Sequence, residues 1–159
     1  MVRWIAFVAV AGALLAAPAN QAQQPTAPGP INAYAYADCS AANTSTVRIV
    51  IITGAIPAAI PVSTPQPSVV LLFNSAVEAL SAQQSIGVSP GAARGGTDAL
   101  ALSCPVVGDC VPAQAGTITI RRRAEDGALT GTYQATWPGG QPRMGRFTAA
   151  WRESQKRCG

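Results

Sequence analysis

Within residues 117–121, 129–136 and 147–151 the chain keeps a period of two, and that pattern constrains its fold more than any other feature. Ile118, Ile120, Leu129, Tyr133, Ala135, Phe147, Ala149 and Trp151 alternate with Thr117, Thr119, Arg121, Thr130, Thr132, Gln134 and Thr148. Alternation of this kind makes half-buried strands and cannot make an amphipathic helix. Asp126-Gly127 supplies a strong hairpin signal. Taken as a two-residue turn, it pairs Ala124 with Leu129, Arg122 with Gly131, Ile120 with Tyr133 and Ile118 with Ala135. A three-residue loop over residues 139–141 then sets Tyr133 beside Phe147, Gly131 beside Ala149 and Leu129 beside Trp151. A shift of one residue would throw every apolar side chain to the other face. The segment therefore reads as a three-strand meander with its aromatic rings in the core rather than on display.

The rest of the chain extends the β pattern. TVRIVIIT (residues 46–53), SVVLLF (68–73), SIGVS (85–89) and TDALALSC (97–104) read as further strands, seven or eight in all. Residues 75–80 allow one short helix, with Ser75 and Glu78 at capping-box spacing. Pro57, Pro61, Pro65 and Pro67 exclude a regular helix or central strand between residues 54 and 67. The expected fold is all-β: a small disulfide-bonded β-sandwich, or alternatively a small β-barrel. Residues 47–52 and 69–73 are apolar on both strand faces, interrupted only by Arg48. Something must cover the second face. The candidates are the proline-rich loop, through Ile56, Ile60 and Val62, or a partner surface such as a homodimer.

The first 22 residues combine Arg3, an apolar run from Trp4 to Ala17 and small residues at Ala17, Ala19 and Ala22. That is the pattern of a cleaved secretory signal peptide (1–22). The run falls short of the ~20 residues that span a bilayer, so no stable membrane span is expected after cleavage. A proline-rich leader (23–32) and a single domain (33–159) follow. The expected location is periplasmic or secreted, and in such a compartment four cysteines favour disulfides. Cys104–Cys110 would close a short turn-forming loop, and Cys39–Cys158 would tie the two ends of the domain. The spacing fits no zinc motif, so neither metal nor cofactor is expected.

The chain has no His, which removes Ser-His-acid and Cys-His catalysis. No phosphate-cradling or calcium-binding loop is present, and no residue is singled out as catalytic. Charge is uneven. Residues 120–159 hold eight basic and three acidic side chains, a net of +5, whereas residues 23–119 carry two basic and four acidic ones. Arg121, Arg123, Arg143 and Arg146 form the candidate binding surface, Arg121 and Arg123 on the outer face of the meander and Arg143 and Arg146 at or near its other end. A basic stripe suits an anionic envelope polymer or lipid headgroup, or a protein partner; nucleic acid is not expected for an exported chain. The functional expectation is a non-catalytic envelope or extracellular interaction module. The alternatives are a small carboxylate-dependent hydrolase, or an inhibitor of a secreted hydrolase acting through the loop between Cys104 and Cys110.

Overall fold

A computed structural model of the protein describes residues 32–39, 44–61, 63–65, 67–80, 82–92, 98–106, 108–140, 142–154 and 158. The expected signal peptide and nearly all of the leader lie outside the described residues; Asn32 opens the first strand. In chain order the strands are β1 (Asn32–Cys39), β2 (Ser45–Ile52), β3 (Ser68–Phe73), β4 (Gln84–Val88), β5 (Ala99–Cys104), β6 (Val111–Pro112), β7 (Ala115–Arg122), β8 (Leu129–Thr136) and β9 (Arg143–Arg152). The expected short helix is a single 3-10 turn at Val77–Leu80.

These strands form one sheet in the order β3-β2-β1-β9-β8-β7-β4-β5-β6, and β3 also pairs with β5 along its full length. The sheet thus closes on itself as an eight-stranded barrel with β6 as an extra strand. The barrel alternative holds, and the sandwich is corrected. Closure rests on two pairings between distant segments: β1 runs parallel to β9, with Ala33 beside Ala149, and β3 runs antiparallel to β5. A closed sheet has few free edges to recruit other chains.

Inward-facing side chains fill the barrel. Phe73, Tyr133, Trp137, Phe147, Leu71, Ile49, Ile118, Ile120 and Leu129 pack among small residues at Ala33, Ala35, Ala99, Ala101, Ala135 and Ala149. Large rings among small neighbours leave a packed core rather than a lumen. Trp137 is buried and donates its indole N–H to the Val111 carbonyl at 3.0 Å. Trp151 is half-buried against the same core.

Both hairpins of the meander differ from the expected register by two residues. Ile118 pairs with Tyr133, Ile120 with Gly131 and Arg122 with Leu129; Tyr133 pairs with Gly145, Gly131 with Phe147 and Leu129 with Ala149. A slip of two preserves the faces, so the rings stay in the core. Two physical causes set the slip. First, Asp126-Gly127 is the second half of a longer loop. Arg123 N–H donates to the Ala128 carbonyl and Gly127 N–H to the Arg123 carbonyl. Gly127 has φ 67°, and the Asp126 carboxylate accepts from Ala128 N–H at 3.0 Å. Second, the observed register sets each ring over a glycine. A Cβ on Gly145 would lie 2.6 Å from Tyr133 Cε1, and one on Gly131 would lie 2.8 Å from Phe147 Cζ. Glycine opposite an aromatic gives the ring a flat surface to cover; the expected register would have set Tyr133 directly against Phe147. Arg122 accordingly lies beside Gly127 and over the Trp151 ring, 5.9 Å from its centroid, not across Gly131.

The barrel's exterior has two halves. On β1, β2, β3 and β5 the outward residues Tyr34, Tyr36, Val50, Ile52, Val70 and Cys104 form a second apolar cluster, on which Ile56 and Ile60 of the proline-rich segment pack. The cover that the two-faced strands require is therefore this segment; Val62 lies outside the described residues. Asn32 Nδ2 donates to the Gly54 carbonyl at 2.8 Å and fixes the start of this arm. On β7, β8 and β9 the outward face is polar and wet. Both expected disulfides are present, Cys39–Cys158 and Cys104–Cys110. By loop-closure entropy the long one contributes roughly 5 kcal/mol and the short one roughly 2.

Candidate functional site

Cross-strand registers place the outward side chains of β7–β9 in rows. Arg121 aligns with Thr130 and Thr148; Thr119 aligns with Thr132 and Arg146; Thr117 aligns with Gln134 and Met144. Neighbouring strands lie about 4.8 Å apart, so each row is a short ladder of hydrogen-bonding groups, save at the exposed Met144. Arg121 and Arg146 are exposed, and neither has an acidic partner among the described residues. Of the four arginines expected to bind, these two share the face.

The other two are held elsewhere. Arg123 sits at the β7–β8 loop, where its guanidinium bonds the Asp126 carboxylate and lies 3.6 Å from Glu125. The Arg123 hydrogen bond, then the Ala128 N–H, hold the Asp126 carboxyl below its ordinary range. Arg143 lies at the opposite end of the barrel, level with Ala135 and hence with Gly116. Arg123 is seven residues beyond Gly116, or ~23 Å along the strand. The Arg143 guanidinium stacks over Trp137 at 5.6 Å, with Nη1 3.4 Å from Ser103 Oγ. The four arginines therefore do not form one patch.

A second cluster gathers around β1, and the sequence reading did not single it out. Tyr34, Tyr36 and Asp38 occupy alternate positions and share the outward face. Tyr36 pairs with Arg48 of β2 on one side and Arg152 of β9 on the other. Arg48 Nη2 lies 3.1 Å from the buried Asp38 carboxylate, and its guanidinium sits 5.9 Å from the Tyr36 ring centroid. Arg152 lies 5.6 Å from the Tyr34 ring centroid and donates through Nη1 to the Pro57 and Ala58 carbonyls, at 2.5 and 3.0 Å. Tyr34 and Tyr36 stack at 6.0 Å with 14° between planes. Burial, then the neighbouring Tyr36, pushes the Tyr34 phenol up to about 12.

Beside this row opens a groove of about 870 Å³, lined by Tyr36, Asp38, Arg48, Arg152 and Glu153 together with arm residues 58–61. Its two carboxylates are Asp38 and Glu153. Asp38 is already ion-paired and also accepts from Cys39 N–H at 2.9 Å, so it is held as a charge partner of Arg48. Among the described residues no three His, Cys, Asp or Glu side chains gather as a metal-binding group, and no helix is long and apolar enough to cross a membrane. Comparison with protein-family models, with curated proteins and with solved structures finds no match to this chain.

Proposed function

We propose that this protein is an exported, non-catalytic binding module, periplasmic or secreted, whose β7–β9 outer face contacts an anionic envelope polymer or lipid headgroup. One observation carries the reading: Arg121 and Arg146 stand exposed, with no acidic partner among the described residues, on a face whose other positions are mostly Thr. Hydroxyls and guanidinium groups both donate to phosphate, sulfate or carboxylate oxygens, and no acidic side chain occupies the outward positions of these strands. The two disulfides fit an oxidising compartment.

The test is co-sedimentation with vesicles of anionic and neutral lipid, and with an anionic polysaccharide, at several salt concentrations. Each arginine near an anionic surface is worth about 1 kcal/mol, so Arg121→Gln with Arg146→Gln should weaken binding about thirtyfold. Binding should also fall with salt. Unchanged binding by the double variant would reject this surface. A second reading, inhibition of a secreted hydrolase, draws on the disulfide-closed loop, where Val106 is 53% exposed. Loss of inhibition in Val106→Asp, with the fold intact, would support it; inhibition unchanged by that substitution would remove it.

A further inference from the structure

The groove between β1, the end of β9 and the proline-rich arm is independent of the wet face, and its charges have a definite pattern. Arg48 and Asp38 neutralise each other across 3.1 Å. Among the described residues the remaining charges on the lining are Arg152 and Glu153. They form no ion pair with each other, and neither has another charged partner among the described residues. Among the described residues Arg152 meets neutral groups: the Tyr34 ring and two arm carbonyls, both carbonyls through Nη1. A guanidinium carries five donors, so the rest of its fork is available to a carboxylate. Among the described residues the groove thus presents one cation and one anion that have no charge partner, both on its lining.

Arg48 and Arg152 flank Tyr36 on adjacent strands, which sets their Cα atoms about 10 Å apart, and both line the groove. We infer that the groove binds a small zwitterion of the amino-acid or short-peptide kind, its carboxylate held by Arg152 beside Arg48 and its ammonium facing Glu153. A simple anion would be attracted by Arg152 but repelled by Glu153, and a simple cation the reverse. A ligand carrying both charges meets both in a volume of about 870 Å³. Residues 58–61 also line the groove, so a bound ligand would touch both the arm and the barrel.

The test is calorimetric titration of the full protein with trialanine, N-acetyl-trialanine, trialanine amide and free alanine at neutral pH. Trialanine should bind, and blocking either terminus should weaken it about tenfold, the loss of one charge interaction of ~1.4 kcal/mol. Glu153→Gln should abolish the penalty for N-acetylation while keeping that for amidation; Arg152→Gln should do the reverse. Arg152→Lys keeps the charge and should keep the amidation penalty, which separates charge recognition from loosening of the arm. Binding of free alanine as tight as that of trialanine would assign the site to amino acids, and preference for trialanine to peptides; either supports the inference. No binding of trialanine or alanine at millimolar concentration would overturn it. So would blocked peptides that bind as well as the free one.

Discussion

Changing Gly145 to Ala should destabilise the barrel, and changing Tyr133 to Leu should reverse the sign of that effect. A Cβ on Gly145 would lie 2.6 Å from Tyr133 Cε1 and 3.0 Å from both Cζ and the hydroxyl oxygen. Real Cβ atoms do not approach that closely, so the buried ring must move. Overpacking of this kind costs about 1–3 kcal/mol. Gly145 is not among the glycines with positive φ, so alanine there also restricts the unfolded chain, stabilising by roughly 0.4–1 kcal/mol. The net is a loss of about 1–2 kcal/mol, or a melting point lower by roughly 3–8 °C for a domain of this size. In the Tyr133→Leu background the ring is gone, and Gly145→Ala should be neutral or stabilising by about 0.5 kcal/mol. Equilibrium unfolding in urea, with disulfides intact, gives all four corners of the cycle. A coupling of at least ~1 kcal/mol is expected. Additivity within ~0.5 kcal/mol would refute the pairing of Tyr133 with Gly145 and restore the register in which Tyr133 faces Phe147.

Three further outcomes follow from the geometry. Replacing Cys39 and Cys158 together by Ala should cost roughly 5 kcal/mol and replacing Cys104 and Cys110 roughly 2, so the first pair should lower the melting point more; the reverse order would contradict the end-tying role. The Tyr34 pKa is raised to about 12 in the folded chain against ~10 unfolded, so its contribution is complete below pH ~10 and is lost as pH rises from there through 12; the loss totals of order 2 kcal/mol, and urea unfolding should show a shallower alkaline decline in Tyr34→Phe. Gly127→Ala should cost about 1–2 kcal/mol, because φ 67° is left-handed and Arg122 Nη2 lies 3.2 Å from the added Cβ; an unchanged urea midpoint would count against the loop conformation.

Local patterns in the sequence carried a good part of this fold. Alternation assigned Ile118, Ile120, Tyr133 and Phe147 to the core, and a slip of two residues left that assignment intact because the side-chain period is itself two. The apolar character of both faces of β2 and β3 demanded a cover, and Ile56 and Ile60 supply it. Loop length was not legible. Asp126-Gly127 closes a two-residue turn or ends a longer one, and the choice falls to the fit of Tyr133 over Gly145 and Phe147 over Gly131 across the barrel. Closure was not legible either, since β1–β9 and β3–β5 join segments with no local signal for one another.

The candidate sites divide in the same way. Arg121 and Arg146 could be placed on one face by parity alone. Arg143 could not, because Ala135 opposite it is an inward position at the barrel's end. The Arg48–Tyr36–Arg152 row needs three strands in register, one of them parallel. Its only linear trace is the alternation Tyr34, Tyr36, Asp38, which places an acid and two phenols on a face that would otherwise be apolar.

The claim that the exterior is divided, with the arm covering one half and a wet Arg–Thr face available on the other, is tested most directly by mapping amide chemical shifts during titration with anionic lipid headgroup or polymer. The expected result is a set of perturbed amides confined to β7, β8 and β9, centred on Arg121, Thr132, Arg146 and Thr148 and suppressed by salt. Perturbations centred on the arm and β1–β3, with β7–β9 silent, would contradict it.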